Sequence, residues 1–297
     1  MTKLPVVLAH GYCGFSRLGG ASYFHGVESV LRHLGVTEIF ATTVDPKGSL
    51  RARTGQFVHS ITSQFPGRKV HVIAHSMGGL DARFAVSSKG LGRGDLIQTL
   101  TTLGTPFQGT TIGDLAALNF NAASTLPRDL LVRVAGELLA MSPRLLLAVG
   151  VADAQFRFGV AGMLEVASAA ARGDFSGLGT YLRAMLTLSD EGVKELTREK
   201  CRRIFDVDQS DVAGLPMFCY AGEVEWPAIA PALVLTQLIL KAAEGPNDGL
   251  VAVDSATLKR THMSNIPTDH LGLVGWSPLD VSGWYGKILD TIRTHEG

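Results

Sequence analysis

Ser76 is the residue whose surroundings most clearly indicate chemistry, because it lies in the pentapeptide Ala-His-Ser-Met-Gly at residues 74–78. A short apolar run at 70–74 leads into it, and a helix-forming segment follows at 79–86. A buried strand, a tight turn with one serine and a helix make up a nucleophile elbow, where small residues two before and two after the serine accommodate a strained backbone. The alternative is an ordinary strand-to-helix turn in which Ser76 caps the helix.

A serine hydroxyl needs a base to take its proton, and the base needs an acid to orient it. When the serine lies on such an elbow, the acid and then the histidine follow it along the chain. His270 is the preferred base, because it lies in a turn-rich loop before the predicted terminal helix. His262 lies in a polar stretch and is the second choice, and His295, near the end of the sequence, is expected to be solvated.

The acid has several candidates. Asp248 lies in the turn sequence Gly-Pro-Asn-Asp-Gly, where an aspartate is also common for purely structural reasons. Glu223 and Glu225 are its rivals, because they directly follow a predicted strand. Asp269 is adjacent to His270 and is therefore poorly placed to orient the ring.

An acyl-transfer site also needs backbone N–H groups directed at the negative charge that develops on the substrate oxygen. We predict that one of them belongs to Met77, directly after the serine. The other is assigned to Tyr12, in a glycine-rich loop that begins with His10-Gly11 at the end of the first predicted strand. Glycine lets the backbone of this loop approach a substrate closely.

The elements that must position these residues alternate between apolar runs and segments with helical periodicity. This alternation predicts one α/β domain over residues 1–297, with a mostly parallel sheet and helices on both faces. Helical spacing predicts one helix that ends before Pro66-Gly67 and another at the end of the chain. The predicted strands are 5–9, 38–43, 69–74, 96–103 and 216–220.

The interval 107–214 is far longer than the crossover that a parallel sheet requires. It contains several apolar helical segments, among them one with Leu131, Val134 and Leu138. We predict a large helical insert at the carboxyl edge of the sheet, where the ligand sites of α/β proteins open. Two interpretations stay open, a fixed cap and a movable lid.

Composition excludes some functions. Hydrophobic residues make up 46% and charged residues 18%, and 27 basic residues balance 27 acidic ones, so we expect no nucleic-acid partner. The three cysteines, Cys13, Cys201 and Cys219, do not indicate a disulfide framework. No signal peptide and no confident membrane span are visible, so we expect a soluble, cytoplasmic protein, or a secreted one if a leader was removed.

Taken together, these motifs resemble the bacterial triacylglycerol lipases of the α/β-hydrolase superfamily. The opening strand with His10-Gly11 is similar to the family's oxyanion loop, and Arg53 lies in a segment similar to the family's Arg-Gly-Glu-Gln-Leu. Further similar segments are the elbow, residues 104–109, residues 188–192 after the family's lid, Asn-Asp-Gly-Leu-Val at 247–251, and His270-Leu271.

The resemblance implies an α/β-hydrolase fold and a Ser76–His270–Asp248 triad, with Asp248 as the acid in place of Glu223. It also implies that Arg53 braces the oxyanion loop. The expected activity is that of a lipase or long-chain esterase, with an ester or lipid substrate and transient contact between the insert and a lipid interface. A short-chain carboxylesterase, an acyltransferase and a non-catalytic binding protein of the same fold are the alternatives.

Two departures from the family concern its structural calcium. Gly272 occupies the position of a calcium-binding aspartate, and Trp276 stands where another side-chain ligand is expected. Because calcium requires several oxygen ligands, we expect no calcium site and no cofactor.

Overall fold

The structure is a computed structural model, and most of the chain is described in it. Cys13 and Phe15 of the predicted oxyanion loop lie outside the described residues, as do residues 188 and 189 of the segment similar to the one after the family's lid. The described residues are 2–12, 14, 17–18, 21–117, 128–149, 154–185, 190–206, 208–258, 261–276, 280 and 282–296.

Six parallel strands form the main sheet, in the order β4-β1-β5-β6-β7-β8. Five of them match the predicted strands to within two residues at each end, because each carries an apolar run that is buried or, in the edge strand, half-buried. A short antiparallel hairpin pairs β2 with β3. The strands are β1 (Val6–Ala9), β2 (Arg17–Leu18), β3 (Ala21–Ser22), β4 (Ile39–Ala41), β5 (Val70–His75), β6 (Ile97–Leu103), β7 (Met217–Gly222) and β8 (His262–Ile266).

The strand β8 is absent from the strands predicted from the sequence, and the prediction is wrong at this place. The strand lies at one edge of the sheet, where His262 and Met263 are exposed and only Ile266 is buried. An edge strand that is half solvated does not need an apolar run, so its sequence is polar.

Helices cover both faces of the sheet, as predicted. Alternate strand residues point to opposite faces: Val6 and Leu8 join the apolar cluster on one face, and Val7 and Ala9 the cluster on the other. The first cluster is covered by α1 (Val27–His33) and α12 (Ser282–Arg293), the second by α2 (Leu50–Gln64) and α3 (Met77–Val86).

Helices also occupy the described part of the predicted insert between β6 and β7. They are α4 (Thr111–Ala117), α5 (Arg128–Val149), α6 (Ala154–Ala171), α7 (Leu178–Met185), α8 (Asp190–Glu195) and α9 (Arg198–Ile204). The helices α4 to α8 share an apolar cluster with α10 (Val234–Ala243), and the short helix α11 (Val253–Ala256) follows. That this segment acts as a lid stays a prediction.

Within the residues that the structure describes, none of the helices combines the length and the apolar character needed to span a bilayer.

Candidate active site

Ser76 occupies the turn between β5 and α3 in a strained backbone conformation, with φ 53° and ψ −129°. Its N–H donates to the carbonyl of Leu103 on the neighbouring strand, at 2.9 Å. A Cβ atom at Gly78 would lie 2.5 Å from the carbonyl oxygen of Ala9, so this position requires glycine. The turn therefore has the steric features of a nucleophile elbow, and the side chain of Ser76 does not cap α3.

His270 and Asp248 are in direct contact. His270 Nδ1 lies 2.7 Å from Asp248 Oδ2, and both side chains are buried. The other carboxylate oxygen accepts from the N–H groups of Leu250 and Val251, at 3.0 and 2.8 Å. The N–H of His270 donates to the carbonyl of Asp248 at 2.9 Å. These hydrogen bonds hold the Asp248 carboxylate and the His270 ring in one orientation relative to each other.

Two glycines leave room for this pair. A Cβ at Gly104 would lie 2.9 Å from Asp248 Oδ2 and 3.2 Å from His270 Nδ1. A Cβ at Gly222 would lie 2.6 Å from the Cβ of Asp248. Neither glycine is assigned a role from the sequence alone. Gly104 directly follows β6, which pairs with the elbow strand β5, and Gly222 is the last residue of β7, which pairs with β6. A glycine in that position is the signal that could have identified them.

Substituting Gly104 with alanine is expected to disrupt the His270–Asp248 pair. Its φ of 57° strains any other residue, and the new methyl group would overlap Asp248 Oδ2 and Leu273 Cδ1 and crowd His270 Nδ1. We expect a loss of about 2 to 4 kcal/mol in the free energy of unfolding, measured in urea. Gly55→Ala in α2 is the control, since a methyl group there would point into open space and its φ is not positive. Equal stability of the two variants would contradict the prediction.

Ser76 and His270 both line one cavity, of about 530 Å³. It opens above the carboxyl ends of the strands, as expected for an α/β fold. Apart from Ser76 and His270, mainly apolar and aromatic side chains line it. These are Tyr12, Tyr23, Pro106, Thr110, Ile112, Gly113, Leu196, Leu250, Val251, Leu271, Val274 and Trp276.

The rival residues lie elsewhere. Glu223 accepts a hydrogen bond from Asn265 Nδ2 at 2.6 Å, and Glu225 is exposed beside Lys241. His262 is exposed on β8, and His295 contacts residues of the last helix. None of these side chains lines the cavity that Ser76 shares with His270. The structure thus brings Ser76, His270 and Asp248 to one place and leaves their rivals outside it.

Arg53 holds the loop after β1. Its guanidinium donates to the carbonyl of His10 at 3.1 Å and forms a buried ion pair with Asp81 at 2.7 Å. Gly11 of this loop lies against Ser76, since a Cβ there would be 2.7 Å from the Cβ of Ser76. The main chain of the loop therefore reaches the serine directly.

Of the two predicted donors, Tyr12 borders the cavity, and Met77 directly follows Ser76 at the start of α3. The side chain of Tyr12 lines the cavity and packs against Gly192 of α8, where a Cβ would lie 2.1 Å from its ring. Met77 is the first residue of α3, so its N–H belongs to the helix turn whose donors have no intrahelical acceptor.

His10 is neutral at neutral pH. Burial, followed by the positive charge of Arg53, lowers its pKa to about 4. Below about pH 6.5, His10 binds a proton in the unfolded chain but not in the folded chain. The stability that depends on neutral His10 is therefore fully present above pH 6.5 and is lost as the pH falls towards 4. We expect the free energy of unfolding to decrease by up to about 1.4 kcal/mol per pH unit for this one group.

Urea unfolding between pH 7 and 5 measures this dependence. His10→Gln should reduce the slope by about one titrating group, whereas His59→Gln, at an exposed position of α2, should leave it unchanged. An unchanged slope in His10→Gln would exclude this role of His10.

Asp269, whose place next to His270 makes it a poor orienting acid, anchors the loop of His270. Its two carboxylate oxygens accept from the N–H groups of Gly272 and Ala230, at 2.9 and 2.8 Å.

Trp276 Nε1 donates to the carbonyl of Tyr23 at 2.8 Å. Among the residues that the structure describes, no group of three or more His, Cys, Asp or Glu side chains could hold a metal ion. The absence of a calcium site stays a prediction.

Comparisons with known proteins agree with this architecture. A model of the PGAP1-like alpha/beta domain matches residues 54–126. A triacylglycerol lipase of Pseudomonas fragi is 30% identical over 122 residues, which are 40% of this chain and 40% of that protein. One of Vibrio cholerae is 33% identical over 117 residues, 38% of this chain and 36% of that protein. The chain thus spans about two fifths of the length of the curated relatives it matches.

A solved structure extends the likeness to nearly the whole chain. The mature form of Bacillus licheniformis lipase BlEst2 has a TM-score of 0.65 and 18% identity, and the match covers 97% of this chain and 92% of that chain. At this identity the likeness shows the fold, and the predicted α/β-hydrolase fold is confirmed. The chain therefore has the α/β-hydrolase fold, and over about two fifths of its length its sequence is similar to bacterial triacylglycerol lipases.

Proposed function

We propose that this protein is a serine ester hydrolase with Ser76 as nucleophile, His270 as base and Asp248 as the orienting acid. The observation that carries the proposal is the shared cavity. Ser76, in its strained backbone conformation, lines this cavity together with His270, whose Nδ1 lies 2.7 Å from the buried carboxylate of Asp248. A histidine in this arrangement can take a proton from a serine hydroxyl.

In the proposed mechanism, Ser76 Oγ attacks the acyl carbonyl carbon while His270 Nε2 takes the hydroxyl proton. The N–H groups of Tyr12 and Met77 stabilise the oxyanion, and Asp248 stabilises the imidazolium. When the tetrahedral intermediate collapses, the alcohol leaves with the proton of His270 and an acyl-enzyme remains. A water molecule then gives a proton to His270 and attacks the acyl carbon. The bond between that carbon and Ser76 Oγ breaks, His270 returns the proton to Oγ, and the acid is released.

The proposed substrate is an ester with a long acyl chain, such as a lipid. The cavity is lined mainly by apolar side chains, among them Ile112, Leu250 and Leu271, and Leu271 and Trp276 are about two fifths exposed at its border. Burial of an acyl chain against such side chains is favourable in proportion to the apolar area removed from water. The relatives named triacylglycerol lipases support the same substrate class.

A series of p-nitrophenyl esters from acetate to palmitate tests this substrate class. Turnover that peaks at long acyl chains is expected, and a peak at acetate would favour the short-chain carboxylesterase. Labelling with a fluorophosphonate, which reacts with activated serines, tests the mechanism, because mass spectrometry should locate the adduct on Ser76. If no ester is turned over and no adduct forms on Ser76, the remaining alternative is a non-catalytic protein of this fold.

An acyltransferase is indicated if, with a dilute alcohol added, more of the acyl group passes to the alcohol than to water. This measurement separates transfer from hydrolysis, which differ only in the second nucleophile.

A further inference from the structure

His75, the residue before the nucleophile, is a buried imidazole that the proposed mechanism does not use. Its Nε2 lies 2.9 Å from the main-chain carbonyl oxygen of His270, and its Nδ1 lies 2.7 Å from the hydroxyl of Tyr23. Its ring centroid is 4.4 Å from that of the His270 ring. The side chain thus bridges the wall of the cavity, where Tyr23 lies, and the backbone of the proposed base.

These contacts define one tautomer of His75. A carbonyl oxygen only accepts hydrogen bonds, so the hydrogen between His75 and His270 belongs to Nε2. Burial, followed by the nearby His270, lowers the pKa of His75 well below its ordinary value, so the ring is neutral at neutral pH. Nδ1 then carries no hydrogen and accepts from the hydroxyl of Tyr23.

The main chain of His270 is therefore held on both sides. Its N–H donates to the carbonyl of Asp248 at 2.9 Å, and its carbonyl accepts from His75. The N–H belongs to the peptide unit before the Cα of His270 and the carbonyl to the unit after it, so the first contact alone would leave the second unit unheld. The second contact fixes the plane from which the side chain of His270 leaves the backbone, and with it the direction of the ring.

We propose that His75 is a positioning residue for His270, and that the Tyr23 hydroxyl selects the His75 tautomer that can hold the His270 carbonyl. This inference rests on the proposed function, because positioning matters only if His270 acts as the base. His75 does not touch the reacting atoms. It acts through the geometry of His270, where a displacement of about 1 Å can change a rate by about a hundredfold.

Two substitutions at position 75 separate hydrogen bonding from packing. His75→Phe keeps a ring of similar shape but has no donor for the His270 carbonyl. His75→Gln loses the ring, yet its amide N–H stands the same number of bonds from the backbone as Nε2 and can donate to that carbonyl. We expect kcat to fall about tenfold to a hundredfold in His75→Phe with KM nearly unchanged, and about threefold or less in His75→Gln.

The opposite order, with His75→Phe close to wild type and His75→Gln impaired, would show that the ring only fills space and would overturn the proposal. Tyr23→Phe adds an independent arm. It should lower kcat in the wild-type background and add little in the His75→Phe background, since both changes break one chain of hydrogen bonds. Additive effects on kcat would contradict the role of Tyr23.

A measurement on the unaltered protein keeps the inference testable if His75→Phe does not fold. The ¹⁵N signals of the His75 imidazole in NMR distinguish the nitrogen that carries hydrogen from the one that does not. We expect the hydrogen of the His75 ring on Nε2 in the wild type. A hydrogen found on Nδ1 would overturn the inference. This result does not depend on turnover, so a protein that hydrolyses no ester would refute the proposed function separately.

Discussion

Ser76→Ala is expected to lower kcat by about 10⁶-fold, towards the uncatalysed rate, while the protein stays folded. Without the hydroxyl no acyl-enzyme forms, and His270 and Asp248 have no proton to move. Hydrolysis of the best p-nitrophenyl ester from the series, followed at saturating substrate, measures the effect. Circular dichroism and urea unfolding should show an intact fold, since the side chain of Ser76 does not cap α3.

Ser63→Ala, at an exposed position of α2, is the matched control and should retain wild-type activity. A third variant tests the strain at the elbow. Ser76→Gly should be inactive as well. Its free energy of unfolding should exceed that of Ser76→Ala by at least about 1 kcal/mol, because glycine adopts a φ of 53° without a steric penalty. Appreciable activity in purified Ser76→Ala would falsify the assignment of the nucleophile.

Asp248→Asn is expected to lower kcat by about 10⁴-fold with little change in the fold. The N–H groups of Leu250 and Val251 donate to one oxygen of Asp248, so an asparagine must keep its own oxygen there. Its NH₂ group then faces Nδ1 of His270, which must accept a hydrogen bond in place of donating one. The hydrogen of the ring moves to Nε2, and this nitrogen can no longer take a proton from Ser76.

Glu223→Gln is the matched control, because Glu223 is the rival acid. Its carboxylate contacts Asn265 and not His270, and we expect kcat within about twofold of wild type. Steady-state kinetics of both variants, over the pH range in which the wild type is active, provide the measurement. If Glu223→Gln loses activity and Asp248→Asn keeps it, the acid is wrongly assigned.

Local sequence patterns were sufficient for much of the fold. Apolar runs predicted five of the six strands of the main sheet: the four interior strands, which are almost entirely buried, and the edge strand β4, whose three apolar residues are half-buried. The small residues around Ser76 predicted the elbow, because its geometry depends only on neighbours within two positions. The edge strand β8 was missed, because it is largely solvated, its residues are mostly polar and only Ile266 is buried, so it lacks the apolar run that β4 carries at the opposite edge.

The choice among distant partners required the tertiary structure. From the residues alone, Asp248, Glu223 and Glu225 were all open as the acid, and only a resemblance to a known family favoured Asp248. The structure brings Asp248 to 2.7 Å from His270, 22 residues further along the chain, and turns Glu223 towards Asn265.

The sequence by itself thus determined the elements whose physical causes are local: the buried strands, the amphipathic helices and the strained turn at Ser76. Only the tertiary structure decided which side chains meet. His75 reaches the carbonyl of His270 across 195 residues, and Gly104 leaves room for a pair that lies more than a hundred residues away. Such contacts depend on the order of strands in the sheet and on the close packing of its helices, and no local pattern encodes either.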